Sequence, residues 1–404
     1  MKLSTIASLR AGVSLTPVKK HPGHADQKVH GRGRRGQAAK AAKFDGPEVK
    51  DWDDVNQVKA RAEAIDEYNA KHGGEWATGE RFDTEYLYKR EDGSYTPQRA
   101  AMHDQIVDEL MAKNADVPAD GQAVVLAGPP GAGKTSILKK SENGVADAVG
   151  VELNADGSFK SHAGENSDDI KSIMADKGMV PKVDGASPGE MVNLVHEESS
   201  HISKMYHQRL LNENKNVVID GTLGGTNEQK QIDKISATKR SGYEMRAIMV
   251  DTDPEMAIES ASNRWIGGER AGDKHGGRYV PPAVTEAESR PTGRVPGAKT
   301  ANRENFEILT RPGSGVEFEE TFVFDNSKTP QHPNGYGNVL LSHRIRGREQ
   351  VNQGNQRLQQ LGAPAVLSNL PGGTQGRAVT GGDAGVTGPM FAKQESYKPT
   401  AGMI

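Results

Sequence analysis

Hydrophobic and polar positions alternate along the chain on two different periods. Four short runs each carry a block of three or more consecutive apolar residues: "QAVVLAG" (122–128), "NVVIDG" (216–221), "YEMRAIMVD" (243–251) and "EFEETFVFDNS" (317–327). Their length and their Val, Ile and Phe content predict buried strands. Between them lie longer stretches with apolar residues at helical spacing. The stretch from Ser187 to Lys215 predicts one long helix, opened by a Ser187-x-x-Glu190 capping box with Pro188 at the first helical position. "NEQKQIDKISATKRSG" predicts a second helix, and "DPEMAIESASNRW" a third, with Asp253 as cap and Pro254 behind it. Strands separated by helices of this length require crossovers, and crossovers give a parallel sheet. Upstream, "DVNQVKARAEAIDEYNAKHG" and "TPQRAAMHDQIVDELMAKN" carry helical spacing without intervening strands; Thr96 and Pro97 form a helix start.

The expected fold is therefore α/β, a P-loop NTPase/kinase-like parallel sheet flanked by helices, with a small helical lead-in before it. The pattern divides the chain into a basic arm (1–45), the lead-in (46–115), the α/β domain (116–347) and a tail (348–404) rich in Gly, Pro and Gln. Composition reinforces the ends of this division. Hydrophobic residues are 34% of 404, low for a compact globule of that length, so the arm and tail are expected to lack regular structure. The net charge of -3 names no partner, but Lys19, Lys20, Arg32, Arg34 and Arg35 concentrate positive charge in the arm.

Cysteine is absent, which excludes disulfides, thiolate zinc sites and a cysteine nucleophile, and suits a reducing, cytoplasmic location. No apolar run approaches the roughly 18 residues of a membrane span. The first twenty residues lack the clean apolar region of a secretory signal, so neither a membrane partner nor secretion is expected.

One motif carries strong chemistry. Gly128-Pro129-Pro130-Gly131-Ala132-Gly133-Lys134-Thr135, followed by Ser136, fits G-x-x-x-x-G-K-[ST] between a strand and a helix. Gly131 and Gly133 let the backbone curl so that consecutive N–H groups face phosphate oxygens, and the helix N-terminus adds positive charge. Lys134 is expected on the β- and γ-phosphates and Thr135 on Mg²⁺, so ATP and magnesium are the expected cofactors.

Three further features are open to two readings each. Asp220 ends a strand that should pair beside the loop, where it would hold a magnesium-bound water or merely cap a turn. "NSDDIK" (166–171) offers Asp168 and Asp169 either as helix caps or as a general base for an attacking hydroxyl. "NRWIGGERAGDKHGGRYVPP" places Arg264, Arg270, Lys274 and Arg278 in a Gly-rich segment, either a basic flap over phosphates or a solvated loop.

Taken in order, these motifs resemble the zeta toxin family of P-loop kinases. "GPPGAGKTS" looks like its phosphate loop, and "NSDDIK" is similar to its D-x-D-x-x-K segment, with Asn166 in place of the first acid. "VHEESS" with "NVVIDGT" matches its helix and Walker-B-like strand, and "GGRYVPP" the stretch carrying one of two phosphate-binding arginines. The resemblance spans roughly Tyr95 to Asn326. It implies ATP·Mg-dependent phosphorylation of a small-molecule hydroxyl, a UDP-linked N-acetylamino sugar such as UDP-N-acetylglucosamine. Asp168 would be the base, with Lys134, Arg264 and Arg278 on the transferring phosphate. Glu198, Asp169 and Lys171 would line the acceptor side. An antitoxin is an implied candidate partner. The stretch "FKSHAGEN" before the acidic motif is a poor strand, where the family has an apolar one.

The arm's "HPGHADQKVHGRGRRG" resembles a motif of tailed-phage head-associated proteins. This suggests a phage-encoded chain acting in host cytoplasm, with a virion protein as a candidate partner. His21, His24 and His30 with Asp26 would ligate a metal or stand solvated, and the basic residues would touch nucleic-acid phosphates. Two other functions fit the motifs: a P-loop kinase of nucleotides or polynucleotide ends, and an ATP-binding virion component without transfer activity. An ATP-driven motor is disfavoured because no second catalytic glutamate accompanies Asp220.

Overall fold

The computed structural model describes residues 42–74, 77–139, 144–225, 228–328 and 338–346. The histidines of the arm, its arginine cluster and the tail lie outside the described residues. The first elements are β1 (Ala42–Lys43), α1 (Val55–His72), α2 (Thr84–Tyr88) and α3 (Pro97–Lys113). Next come β2 (Gln122–Ala127), α4 (Lys134–Lys139), α5 (Val145–Ala148), β3 (Ala163–Glu165), α6 (Ser167–Asp176) and β4 (Val183–Asp184). They continue with α7 (His196–Asn212), β5 (Val217–Asp220), α8 (Glu228–Arg240), β6 (Glu244–Asp251) and α9 (Pro254–Ala271). The last are α10 (Pro282–Ser289), α11 (Ala301–Thr310), β7 (Glu320–Asp325) and β8 (Val339–Ile345).

The main sheet has six strands in the order β3-β5-β2-β6-β7-β8, all parallel except β8, which pairs antiparallel with β7. Alternate residues of each strand go to opposite faces, as the two-residue strand period demands. Ala123, Val125, Val217, Ile219, Met245, Met249 and Val323 pack under α3, α6, α7, α8 and α11. Val124, Leu126, Val218, Ile248, Phe322 and Phe324 pack against α4 and α5. The sheet is thus covered on both faces, which is why its strands read as continuous apolar runs. β2 is central, and the chain leaves it first for the β3 side and later for the β6 side. Its C-terminal end is the topological switch point where open α/β sheets bind ligands.

Several boundaries differ from those the sequence predicts. The long helix does not begin at Ser187. The capping box forms, with Ser187 N donating to Glu190 Oε2 at 3.0 Å and Glu190 N to Ser187 Oγ at 3.2 Å, but it closes an isolated turn. A 3-10 turn over Val192–Val195 follows, and the α-helix starts at His196. Glu190 is also held by Arg61 of α1, which fixes that turn against the lead-in.

The Gly-rich basic segment is not a flap in its first half. α9 continues through Gly267 and Gly268 to Ala271 and ends on Gly272, left-handed at φ 65. Arg264 therefore sits on a helix. Gly268 is tolerated there because a Cβ would lie 2.6 Å from the Cα of Gly277, which packs on the helix. At the other end, the poor strand of "FKSHAGEN" is a three-residue edge strand, Ala163–Glu165, parallel to β5.

The lead-in is built into the domain. α1 begins at Asp54, whose side chain accepts from Asn56 N and Gln57 N, and it buries Val58, Ala62, Ile65 and Tyr68. These pack with Leu194, Trp265, Ile266 and Tyr279 in a core of their own. The end of the basic arm joins them: β1 pairs with β4, and Phe44 lies edge-on to Tyr68 with ring centroids 5.8 Å apart.

Candidate active site

The phosphate loop leaves the end of β2 in a conformation few residues can adopt. Gly128 has φ 138 and Gly131 φ 83. A Cβ at Gly128 would lie 2.4 Å from the Val250 carbonyl oxygen, and one at Gly131 would lie 2.2 Å from that of Ala257. Both positions exclude any side chain, so the motif's glycines set how deeply the loop nests between β6 and α9. From the other side Asn326 donates to the Ala132 carbonyl at 2.9 Å and anchors the loop to the end of β7.

Lys134 opens α4 and folds back across the loop, its ammonium donating to the carbonyls of Gly128 (2.9 Å) and Pro129 (3.2 Å). It stands 3.9 Å from Asp220 Oδ1. Burial lowers its pKa, while Asp220 and Asp168 oppose the fall and the like charge of Arg264 adds to it. Ser136, the last residue of the motif, faces solvent from the first turn of α4.

Asp220 lies beside the loop because its strand pairs directly with β2, in the register Leu126 to Asp220. Its Oδ2 accepts from Thr135 Oγ1 at 3.3 Å and from Asn166 Nδ2 at 3.2 Å. Burial raises its pKa; Lys134 pulls it down and the negative charge of Asp168 pushes it up. Asn166, the residue standing where the motif should have an acid, links the two halves of the site. Its amide reaches Asp220 while its carbonyl oxygen caps α6, accepting from Asp168 N at 2.8 Å.

Asp168 therefore sits in the first turn of a helix tied through Asn166 to the Asp220 carboxylate. Its Oδ1 accepts from Lys171 Nζ at 3.1 Å and its Oδ2 pairs with Arg278 Nη1. Partial burial pushes the carboxyl up, but Lys171 and Arg278, with Arg264 behind them, outweigh it and hold Asp168 well below the usual carboxylate range. Arg264 runs exposed from α9 towards the same cleft. Its pKa falls to about 10, first through desolvation and then through the like charge of Arg278, against the pull of Asp168 and Asp220.

The structure thus brings Lys134, Thr135, Asp168, Lys171, Asp220, Arg264 and Arg278 to one cleft. Two candidates lie apart from that cluster. Asp169 is exposed beside it. Glu198 is fully buried between α7 and α3, where Arg99 grips it with two bonds of 2.6 and 2.8 Å and His103 with one of 2.6 Å. Arg270 and Lys274 pair elsewhere, with Asp53 and Asp176.

Sequence reasoning missed Glu288. It lies on α10 with its Oε2 packed where a Cβ of Gly224 would stand 2.9 Å away, and its charge reaches Lys134. Nothing in its local sequence marks it.

A phosphate loop at the end of a central parallel strand, with an acid on the neighbouring strand, defines a P-loop nucleotide-binding domain of kinase type. The family model for zeta toxins matches residues 108–295, so over that stretch the chain is similar to the zeta toxins. No curated protein sequence matches the chain.

Among solved structures, the AvrRxo1-ORF1:AvrRxo1-ORF2 complex with sulphate ions overlaps at 17% identity and a TM-score of 0.47, covering 72% of this chain and 85% of that one. The same pair with ATP overlaps at 17% identity and a TM-score of 0.44, with the same coverage. A chain of the PezAT chromosomal toxin-antitoxin system of Streptococcus pneumoniae overlaps at 13% identity and a TM-score of 0.41, covering 67% of this chain and 94% of that one. These overlaps are partial, and the fold rests on the strand order and the loop described above.

Proposed function

We propose that the protein is an ATP-dependent kinase that passes the γ-phosphate to a hydroxyl of a small molecule, a UDP-linked N-acetylamino sugar. The observation that carries this reading is the placement of a carboxylate, Asp168, in the same cleft as the phosphate-loop lysine and two arginines. Water-activating hydrolases need only a positioned water, whereas transfer needs a base facing an acceptor space. The acceptor hydroxyl attacks the γ-phosphorus while its proton passes to Asp168. An oxygen–phosphorus bond forms to the acceptor, the bond to the β-phosphate oxygen breaks, and ADP leaves with the electron pair. Lys134, Arg264 and Arg278 would spread the charge that develops on the phosphoryl oxygens, and Lys171 would hold the carboxylate turned to the hydroxyl.

The donor set suits magnesium. Thr135 Oγ1 and an Asp220 oxygen converge at 3.3 Å as hard oxygen ligands, and substrate phosphates and water would complete the shell. Among the described residues no group of three His, Cys, Asp or Glu forms a separate metal cage. Bound there, magnesium would neutralise the β- and γ-phosphates. The complex crystallised with ATP supports ATP as the donor. Cytoplasmic action is part of this proposal; among the described residues no helix is long and apolar enough to cross a membrane.

Labelled ATP offered with UDP-N-acetylglucosamine, other nucleotide sugars, nucleosides and DNA 5′-ends tests the reading. Label should appear on a nucleotide sugar and disappear with Lys134→Ala, which should also lose ATP binding. Label on DNA ends would move the acceptor to nucleic acid, and label released only as phosphate would end the kinase assignment.

A further inference from the structure

The zeta toxin match begins at residue 108, yet α1 and the residues before it bury themselves against the elements that carry both cleft arginines. Each of those arginines is followed by an aromatic residue: Arg264 by Trp265, Arg278 by Tyr279. Trp265 is 1% exposed and Tyr279 3%, and their rings meet edge to face with centroids 4.8 Å apart. The backbones touch as well. A Cβ on Gly277 would lie 1.8 Å from the Trp265 carbonyl oxygen, so the loop before Arg278 lies directly on α9. The two arginines thus reach the cleft from a shared base, and the aromatic pair is that base.

The lead-in holds this base from behind. Trp52 lies perpendicular to Trp265 at 5.5 Å between centroids, and Asp53 pairs with Arg270 at the end of α9. The Tyr279 hydroxyl donates to the Ala62 carbonyl of α1 at 3.3 Å, with the Asp66 carboxylate beside it. A second line runs from Arg61 to Glu190 (2.8 and 2.5 Å), then through the Ser187 turn to Glu269, whose Oε1 accepts from Gly277 N at 3.0 Å. Tyr279 N and Gly189 N complete it, bonding Gly189 O and His275 O at 3.1 and 2.7 Å. Among the described residues Arg278 makes one ion pair, to Asp168, and its Nε is buried with no partner. Its place is therefore set through its neighbours more than by its own contacts.

We infer that the N-terminal lead-in is a positioning element for catalysis, with Trp52 and Tyr279 fixing the two phosphate-binding arginines through the Trp265–Tyr279 base. This rests on the kinase reading, because it concerns the arginines assigned there to the transferring phosphate. Misplacing a catalytic group by about 1 Å costs up to roughly a hundredfold in rate. In the full-length chain, Trp52→Ala and Tyr279→Leu should therefore lower kcat about 10- to 100-fold. ATP affinity by calorimetry should stay within about twofold, since the phosphate loop is untouched, and Tyr279→Phe should recover most of the rate.

Because Tyr279 acts through the two arginines, adding Tyr279→Leu to the Arg264→Ala/Arg278→Ala variant should slow it no further. A further loss on top of both arginine substitutions would overturn the inference, as would Trp52→Ala and Tyr279→Leu proteins that are less stable but retain full kcat. Amide exchange gives an arm independent of turnover: residues 272–280 should lose protection in both single variants. Unchanged protection there overturns the positioning role, whereas a wild-type chain that transfers no phosphate overturns the kinase reading and leaves this arm to decide the inference.

Discussion

Two carboxylates, Asp168 and Glu198, look alike by most measures and sit in different surroundings. Each lies in the first turn of a helix, α6 or α7, and each is faced by an arginine. Each is held below its ordinary pKa. For Glu198, burial pushes up, but bonds from His103 and Arg99 bring the value to about 2; for Asp168, the charges of Lys171 and Arg278 have the same effect against burial. A depressed pKa is therefore no mark of function by itself. The difference is in what the oxygens face. The Glu198 side chain is 0% exposed, and its bonds to Arg99 and His103 take up both oxygens. The Asp168 side chain is 34% exposed, opens on the cleft of the phosphate loop, and pairs with an arginine from a loop. One is a closed ion cluster that joins two helices; the other is a part-exposed carboxylate beside the phosphate loop.

Replacing each acid by its amide puts this comparison at risk. Asp168→Asn should cut phosphoryl transfer by about 10²–10⁴-fold, the usual worth of a general base, while ATP affinity and the thermal midpoint stay close to wild type. Single-turnover kinetics with saturating ATP would show it. If transfer survives within a few-fold, Asp168 serves α6 as a first-turn charge and the base is elsewhere, with Glu288 the next acid to test.

Glu198→Gln should do the reverse. Breaking a buried pair leaves Arg99 without its countercharge, and such losses cost about 3–5 kcal/mol. Urea unfolding should show that drop, with kcat unchanged for the folded fraction. A normal unfolding curve with a raised KM for the acceptor would return Glu198 to the substrate pocket.

The same contrast explains what could be read from the sequence. The phosphate loop and the strand ending in Asp220 were legible because their chemistry is local: glycines, a lysine and a threonine on consecutive residues, and an acid at the end of an apolar run. The sheet was legible for the same reason, since strands buried on both faces show as unbroken apolar runs. Asn166 was read as a departure from the motif, yet its amide suits it to bond Asp220 and cap α6 at once, which an acid cannot do. Glu198 was placed at the acceptor side because its neighbours in sequence match the zeta toxin pattern; its partners Arg99 and His103 come from a helix far away in the chain. The lead-in helices were recognised as helices but not as part of the site. That role depends on Tyr279 meeting Ala62 and Asp66, contacts between residues more than two hundred positions apart, which no local period reveals.

The smallest expected effect concerns acid. Glu198 has a folded pKa of about 2 against roughly 4.3 for an unconstrained glutamate. A depressed carboxylate contributes stability above its unfolded pKa and loses it as pH falls through the folded value. Wild type should therefore lose stability faster than Glu198→Gln between about pH 4.3 and pH 2, and the two curves should run parallel above that window. Other groups also titrate: His162, desolvated to about 4, weakens the fold as pH falls below about 6.5, and Asp66, raised by burial to about 6, strengthens it in the same direction. Both are present in the two proteins, so they cancel in the difference between the curves. Urea midpoints at half-unit pH steps would isolate the Glu198 contribution. A difference that persists unchanged down to pH 2 would mean that Glu198 titrates alike in the folded and unfolded chain, and the ion cluster with Arg99 would lose its electrostatic basis.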